Sequence, residues 1–259
     1  MAVETATEVK RPVKSILISQ PKPEKKSPYL TLAEQWDITV DFRSFIRIDE
    51  VAGKEVRKAK INPADYSAII FNSRNGIDHF FRVCEELRVK MSAETKYFCT
   101  SEAIALYLQK YIQYRKRKVF FGKGRGDAGL RDVLKKHKNN EKFLFPCSDI
   151  RKDIIPDYMN ENGFDWDEVV MYQTVPADLS DLEDVFYDMI VFFSPMGVES
   201  LYKNFPDFKQ NKTRIAAFGP TTRKAIEEHG LTVNVAAPQL PEIRSMTMAI
   251  EMYLKESNK

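Results

Sequence analysis

IVFFSPMGV at residues 190–198 and IAAFGPTTRKAI at residues 215–226 decide the fold. Each stretch is an apolar run of strand length that ends in a Ser/Thr or Gly/Pro turn and continues with the period of a helix. In the first stretch, Ser194 is suited to cap free N–H groups and Pro195 fits the first helical turn. A strand that leads directly into a helix N-terminus is the corner at which open α/β sheets bind anions. The sequence therefore predicts two such corners.

The same pattern occurs earlier in the chain. YSAIIFNSRNGI at residues 66–77 aligns without gaps with YDMIVFFSPMGV at residues 187–198, 121 positions later. FCTSEAIAL at residues 98–106 aligns in the same way with FGPTTRKAI at residues 218–226, 120 positions later. Solenoid repeats are only about 20–50 residues long. The larger spacing indicates that a whole α/β domain has been duplicated.

Length and composition are those of a globular protein. The chain has 259 residues, of which 43% are hydrophobic and 30% charged, enough for one large domain or two of ordinary size. A net charge of +3 is too small to indicate nucleic-acid binding. No apolar run approaches the ~20 residues that span a bilayer, and the N-terminus lacks the apolar core of a signal peptide. We therefore expect neither a nucleic-acid partner nor a membrane.

Cysteine and histidine usage points to a reducing compartment and away from metals. Three cysteines at positions 84, 99 and 147 are odd in number and scattered, which is typical of free thiols in the cytoplasm. The three histidines at positions 79, 137 and 229 lie far apart, so a histidine-rich metal centre is not expected.

Short strands alternate with helices along most of the chain, which predicts parallel sheets with right-handed crossovers. Extended runs near residues 45–48 and 168–176 are predicted to cross between two domains. The simplest assembly has domain one formed by residues 1–44 plus 176–259 and domain two by residues 45–175. Outside this pattern, residues 1–13 are predicted to be a disordered tail, and residues 50–63 a polar linker.

A glycine-rich segment offers a competing function. Gly124-Arg-Gly126-Asp-Ala-Gly129 follows a predicted strand and formally satisfies the dinucleotide-binding fingerprint. However, Gly122 and Gly124 delay the turn, and Asp127 lies where a pyrophosphate would approach. A flexible strand-to-helix loop is the favoured interpretation, with a nucleotide-dependent enzyme as an alternative. The sequence contains no nucleophile elbow, P-loop, His-Glu-x-x-His or Cys-x-x-Cys motif.

Four hydroxyl side chains lie at corresponding corners of the two halves: Ser73, Ser194, Thr221 and Thr222. Taken singly, each is as well explained by helix capping as by ligand contact. Their repetition at equivalent corners favours contact with an anionic ligand. Tyr172 lies in the second predicted crossing, where a phenol either packs or donates a proton.

Several of these motifs follow one another in a specific order. A Phe-x-Ser-x-x-Gly-Val corner occurs twice, Tyr172-Gln-Thr174-x-Pro176 marks the second crossing, and a Phe-Gly-Pro-Thr-Thr corner lies near the end. In order and spacing, the chain resembles the uroporphyrinogen-III synthase family from about residue 14 to residue 254. The resemblance is strongest in the last third of the chain.

This resemblance implies a fold and an activity. The expected fold is a pair of similar parallel-sheet α/β domains joined by a two-stranded ladder, with the active site in the cleft between them. The expected reaction is the cyclisation of hydroxymethylbilane, a linear tetrapyrrole with eight carboxylates, to uroporphyrinogen III. The last pyrrole ring, ring D, is inverted and water is lost, so the enzyme is a hydro-lyase that needs no cofactor or metal. We expect a cytoplasmic monomer with transient contact to hydroxymethylbilane synthase.

The resemblance also assigns roles to residues. The crossing tyrosine of the family matches Tyr172, the candidate general acid, and its threonine at the last corner matches Thr222. The candidate substrate-binding residues are Ser73, Arg74, Asn75, Gly76, Ser148, Ser194, Pro195, Gly197, Thr221 and Thr222. Additional charge-assisted contacts to carboxylates are expected from Arg74, Lys123, Arg125, Arg151, Lys152 and Arg223.

Three residues depart from the family pattern. Gln20 stands where an arginine is usual, and Cys99 and Glu102 replace the glycine and threonine of the corner in the middle of the chain. A carboxylate at Glu102 would repel a substrate with eight carboxylates. These departures favour the alternative hypothesis of a non-catalytic tetrapyrrole-binding or regulatory protein with the same fold.

Overall fold

The computed structural model describes residues 11–122, 127–238 and 243–258, without the side chains of Asp127 and Ala128. The chain divides into two compact units. The terminal unit consists of Met1–Arg47 and Val175–Lys259, and the inserted unit of Ile48–Thr174. The chain thus passes between the units twice, once after Arg47 and once after Thr174.

Strands and helices alternate along the described chain. In order they are β1 (Ser15–Ile18), α1 (Pro28–Trp36), β2 (Thr39–Phe42), β3 (Ile46–Glu50), α2 (Gly53–Lys58), β4 (Ala68–Phe71), α3 (Arg74–Glu86), β5 (Lys96–Cys99), α4 (Glu102–Tyr107), β6 (Val119–Phe121), α5 (Asp127–Lys135), β7 (Phe143–Ser148), α6 (Ile154–Glu161), β8 (Trp166–Pro176), β9 (Met189–Phe192), α7 (Pro195–Asn204), β10 (Arg214–Phe218), α8 (Pro220–Glu228), β11 (Val233–Ala237) and α9 (Met246–Ser257). None of these helices is both long and apolar enough to cross a membrane.

The two sheets share one strand order. The sheet of the terminal unit runs β11-β10-β9-β1-β2, with every neighbouring pair parallel. The other sheet runs β3-β8-β7-β4-β5-β6, and its pairs from β8 to β6 are parallel. If β4 is matched to β9, the order β6-β5-β4-β7-β8 repeats the order of the first sheet, and β3 is an addition. The predicted α/β class with two similar parallel sheets is confirmed.

Equivalent tyrosine–aspartate contacts occur in the two units. The hydroxyl of Tyr66 donates to Asp167 Oδ2 at 2.7 Å, and the hydroxyl of Tyr187 donates to Asp41 Oδ2 at 3.1 Å. The two tyrosines are 121 positions apart. Asp41 lies in β2 and Asp167 in β8, so strands matched by sheet order also carry matching side chains.

Both faces of each sheet are buried. In β4, Ile69 and Phe71 pack into one hydrophobic cluster of the inserted unit, whereas Ala68 and Ile70 pack into another. In the same way, alternate residues of β9 contribute to two separate clusters in the terminal unit. Strands buried on both sides need continuous apolar runs, which is why these sequences do not alternate between polar and apolar residues.

The polar linker predicted at residues 50–63 is wrong, and the predicted tail is wrong at Val13, whereas residues 1–10 of that tail lie outside the described part of the chain. Residues 50–63 contain helix α2, in which Val56 is 1% exposed and the backbone N–H of Gly53 donates to Glu86 Oε2 at 2.6 Å. One buried apolar side chain in six residues gives no helical period, so sequence could not reveal this helix. Within the predicted tail, Val13 is fully buried, and its backbone exchanges two hydrogen bonds with the Asn258 side chain.

Candidate functional site

Ser73 and Ser194 form helix N-caps with nearly identical geometry. The backbone torsions φ and ψ are −151° and 159° at Ser73, and −153° and 154° at Ser194. Each Oγ accepts the backbone N–H three residues later, from Gly76 at 2.9 Å and from Gly197 at 3.3 Å. The serines hold the chain at the turn from strand to helix and leave the remaining N–H groups of the first helical turn without intrahelical partners.

The two glycines in these helices meet equivalent surroundings. A Cβ added at Gly76 would lie near Phe71, Ser73 Oγ and the carbonyl of Pro146. At Gly197 it would lie near Phe192, Ser194 Oγ and Ser19 Oγ. The fit is tighter at Gly76, where the added Cβ would lie 3.3 Å from Ser73 Oγ, than at Gly197, where its contacts would be 3.6 Å or longer. These contacts bring the end of β4 near that of β7, and the end of β9 near that of β1.

Tyr172 joins the corner of the inserted unit. Its hydroxyl lies 3.0 Å from Ser73 Oγ, although the two residues are 99 positions apart. Tyr172 is only 6% exposed. Burial raises the pKa of the Tyr172 phenol above its ordinary value, and the hydrogen bond to Ser73 opposes this shift. The phenol is therefore neutral at neutral pH, and its proton lies next to the N-terminus of α3.

Ser148 lies at the same edge of that sheet. It ends β7, is the register partner of Tyr172 on β8 and is 7% exposed. Its hydroxyl donates to Asp149 Oδ1 at 2.8 Å and lies 3.3 Å from Thr174 Oγ1. In open α/β sheets, ligands bind where the strand order reverses, at the carboxyl ends. The reversal between β4 and β7 therefore brings Ser73, Ser148 and Tyr172 to one edge.

The corner between β10 and α8 differs from the Ser73 and Ser194 corners. Gly219, with φ of 87° and ψ of 155°, is the N-cap of α8, and Pro220 is the first helical residue. Thr221 and Thr222 therefore lie inside the helix, and neither is its cap. Thr221 is exposed, whereas Thr222 is 1% exposed. The left-handed torsion at Gly219 starts this helix two residues earlier than its repeat partner α4, which Ser101 caps.

Among the predicted cationic residues, Arg74 is available to an anion. Arg74 is exposed, its guanidinium lies 5.2 Å from the ring centre of Tyr107, and it forms no ion pair within the described residues.

The other predicted cationic residues differ in their pairing. Arg151 is paired with Glu168 and Asp153, and Arg223 with Glu227. Lys152 is exposed and, within the same residues, unpaired, whereas Lys123 and Arg125 lie outside the described residues. Asn75 and Pro195 are in the first helical turns.

Two of the three departures from the family pattern, Cys99 and Glu102, have local explanations. Cys99 is fully buried at the end of β5, and burial raises the pKa of its thiol to about 12. It packs as an apolar residue. Glu102 is the first residue of α4 and is exposed, and Gln20 is exposed directly after β1. The helix dipole favours a carboxylate in the first helical turn, which gives a structural reason for a glutamate at position 102.

Sequence reasoning missed two residues at this site. His79 stacks on Tyr172, and Ser101 provides a third serine cap by accepting the Ile104 N–H at 3.4 Å. Ser101 could have been found from its alignment with Thr221. The contact between His79 and Tyr172 depends on how α3 lies against β8, which no local pattern encodes.

Motifs for other chemistries receive no support. The glycine-rich segment at residues 124–129 lies largely outside the described residues. Across the described ranges, no three or more His, Cys, Asp and Glu side chains are grouped so that they could hold a metal ion. All three cysteines are buried and free.

Fold and corners together define a class: two-unit α/β proteins that present serine-capped helix N-termini at the carboxyl edges of parallel sheets. A family model described as "Uroporphyrinogen-III synthase HemD" matches residues 27–247, most of the chain. The chain belongs to the uroporphyrinogen-III synthase family, a family of enzymes. The resemblance drawn from the sequence is confirmed, and nothing in these comparisons favours a non-catalytic alternative.

Individual relatives agree with this assignment. The chain is 33% identical over 128 residues to uroporphyrinogen-III synthase of Saccharomyces cerevisiae, a match that spans 43% of this chain and 46% of the yeast protein. It is 23% identical to uroporphyrinogen-III synthase of Chlorobaculum parvum over 94% of this chain and all of that protein. The crystal structure of uroporphyrinogen-III synthetase from Helicobacter pylori covers 93% of this chain and 99% of its own, with a TM-score of 0.60 at 17% identity. That likeness supports the fold.

Proposed function

We propose that this protein cyclises hydroxymethylbilane to uroporphyrinogen III, with inversion of ring D and loss of water. It would therefore act as a hydro-lyase without cofactor or metal. Family membership supports the synthase reaction. The observation that carries the assignment to particular residues is the hydrogen bond between Ser73 and the buried hydroxyl of Tyr172, at the N-terminus of a 13-residue helix.

Helix N-termini suit a substrate with many carboxylates. The free N–H groups of α3 and α7, together with the positive end of each helix dipole, bind anions without a strongly basic protein. Arg74 adds a guanidinium that no carboxylate of the described residues neutralises. We propose that the N-termini of α3 and α7 each bind substrate carboxylates.

Little side-chain chemistry is required for the reaction itself. The pyrrole nitrogen expels the hydroxyl of the hydroxymethyl group and leaves a stabilised azafulvene cation. We assign to Tyr172 the donation of a proton to that departing hydroxyl, which leaves as water. The phenol is protonated at neutral pH, as that of an ordinary tyrosine is, so it carries the proton that this role requires. The remaining task is to decide which pyrrole carbon attacks, and restraint of the bound chain does this by orientation.

The setting of the enzyme is part of the same proposal. We propose a cytoplasmic monomer that receives its substrate through transient contact with hydroxymethylbilane synthase and binds neither nucleic acid nor membranes. Three buried, unpaired cysteines support a reducing compartment. Analytical ultracentrifugation of the protein alone and with that synthase tests both the monomer and the contact.

The test is a coupled assay. Hydroxymethylbilane is generated in situ by hydroxymethylbilane synthase, the products are oxidised, and the type I and type III isomers are separated. We expect type III to dominate, and prior dialysis against a chelator to leave its rate unchanged. Only type I at the spontaneous rate would reject the function. A type III yield that falls after dialysis would reject independence from metals.

A further inference from the structure

His79 covers one face of the Tyr172 ring. The two ring centroids are 4.9 Å apart and the planes are inclined by 18°, so the rings are stacked. His79 lies on α3, the helix whose cap Ser73 is hydrogen-bonded to the Tyr172 hydroxyl. A single helix therefore contacts Tyr172 at its reactive oxygen and at its ring face.

Arg82 fixes the imidazole in turn. Its Nε donates to Nδ1 of His79 at 3.3 Å, and its Nη2 donates to the carbonyl oxygens of Val51 at 2.8 Å and Met171 at 3.2 Å. Since Nδ1 accepts this hydrogen bond, the proton of the neutral ring is on Nε2. Met171 directly precedes Tyr172 on β8, so Arg82 ties the imidazole to the strand that carries the tyrosine.

The surroundings keep this imidazole neutral. Burial and then the Arg82 guanidinium lower the pKa of His79 below its ordinary value, and the carboxylates of Glu50 and Asp78 oppose them. Those groups, with the Tyr172 phenol, are the titratable and charged groups that face it from α3, β3 and β8. A lowered pKa favours the neutral ring in the folded state, so the stack at neutral pH joins two uncharged rings.

We propose that His79 is a positioning residue: held by Arg82, its imidazole fixes the plane of the Tyr172 ring and so keeps the phenol hydroxyl hydrogen-bonded to Ser73. Aromatic χ2 torsions have broad minima, so a tyrosine ring without a stacked neighbour has freedom that Ser73 alone does not remove. The catalytic consequence rests on the proposed function. The effect on the Tyr172 ring does not.

Kinetics test the catalytic consequence. His79→Ala should lower kcat by about 10-fold with KM little changed, since small misplacements of reacting groups are costly. His79→Phe restores a flat ring and should recover most of the rate. In a Tyr172→Phe background, His79→Ala should add little further loss, because the two residues act through one group. An equal loss in both backgrounds, or His79→Phe as slow as His79→Ala, would overturn the proposal.

A readout without turnover separates this inference from the proposed function. In protein labelled with ¹³C at tyrosine Cζ, the Tyr172 signal is assigned by its loss in Tyr172→Phe and titrated with alkali. In His79→Ala we expect it to titrate closer to the ordinary tyrosine pKa, because one ring face becomes exposed to water. His79→Phe should behave as the natural protein. An unchanged titration in His79→Ala refutes the positioning role even if type III is formed.

Terminal-unit residues supply a matched control. His229 stacks on Tyr202 with ring centroids 4.3 Å apart and planes inclined by 12°. His229→Ala removes a similar stack and should change neither kcat nor the Tyr172 signal. A shifted Tyr172 signal with no type III formed by the natural protein would uphold the positioning role while rejecting the proposed function.

Discussion

The Ser73 corner and the Ser194 corner share one backbone geometry but differ in their side-chain contacts. Their cap torsions agree within a few degrees, and each serine accepts the N–H of a glycine three residues later. Ser73 also contacts the Tyr172 hydroxyl, whereas Ser194 has no second hydrogen-bond partner among the described residues. The two units thus share one cap geometry, and only the Ser73 corner adds the Tyr172 hydroxyl, the proposed proton donor.

The two units also differ in the length of the strand that carries the matching aspartate. β2 has four residues and β8 has eleven, and the matching Asp41 and Asp167 align the start of the two strands. Tyr172 lies five residues beyond Asp167, past the point that corresponds to the end of β2. The extension of β8 that leads back to the terminal unit is therefore the same segment that carries the candidate catalytic residue.

The largest expected effect is the loss of activity when the Tyr172 hydroxyl, which only the Ser73 corner contacts, is removed. Tyr172→Phe should lower kcat by about 100-fold, the lower end of general acid catalysis, while type III remains the product. The free energy of unfolding should fall by only about 1 kcal/mol, for one lost hydrogen bond. Tyr202→Phe serves as the control, since that ring stacks on a histidine and should affect neither quantity. An unchanged rate in Tyr172→Phe would remove its role as an acid.

Removing each serine cap tests whether the two corners have different roles in the reaction. Ser73→Ala and Ser194→Ala should each lower the free energy of unfolding by about 1 kcal/mol, the usual value of an N-cap. Ser73→Ala should also lower kcat by about 10-fold because Tyr172 loses its partner. Ser194→Ala should mainly raise KM.

Ser245→Ala is the control for both caps, since Ser245 caps α9 by accepting the Met248 N–H at 3.2 Å. It should reproduce the loss of stability without any kinetic change. Equal kinetic effects at Ser73 and Ser194 would contradict the division of roles between the corners.

Glycine replacements test how tightly each corner is packed. Alanine in a helix is favoured over glycine by about 1 kcal/mol. A Cβ at Gly197 would have no neighbour closer than 3.6 Å, so Gly197→Ala should keep this gain. At Gly76 it would lie 3.3 Å from Ser73 Oγ and 3.5 Å from the Pro146 carbonyl, so Gly76→Ala should be about 1 kcal/mol less stable than Gly197→Ala. Denaturant unfolding measures both, and equal stabilities would contradict the comparison.

The smallest effect concerns alkaline pH. Burial, and then the hydrogen bond to Asp41, raise the pKa of Tyr187 to about 12 from an ordinary 10.0. A raised folded-state pKa stabilises the fold fully below pH 10, and this contribution is lost between pH 10 and 12 as the unfolded phenol ionises first. Tyr187→Phe should therefore show a shallower fall of the unfolding free energy over that range. A fall as steep as that of the natural protein would count against this pairing.

Sequence predicted the architecture well because its signal is local. Apolar runs such as residues 190–193 and caps such as Ser194 determine a strand and a helix start without tertiary context. The repeat at 121 positions then implied two similar sheets. Helix α2 was not predicted because it is stabilised by the packing of Val56 and by the hydrogen bond between Gly53 and Glu86. Both depend on residues distant in sequence.

The candidate site was only partly accessible to sequence. The serine caps were visible as motifs, but the contacts of Tyr172 with Ser73 and His79 link residues almost 100 positions apart. At the last corner, the positive φ of Gly219 starts the helix early and places Thr222 in a buried position. The gapless alignment of Thr221 with Ser101 could not predict this earlier helix start.

The most direct test of the central claim is the isomer composition in a single turnover, measured as enzyme rises from zero to an excess over hydroxymethylbilane. We expect the type III fraction to climb from the spontaneous background to nearly the whole product. For Tyr172→Phe we expect the same final fraction at a lower rate of product formation. A product that stays type I at every enzyme concentration would contradict the account.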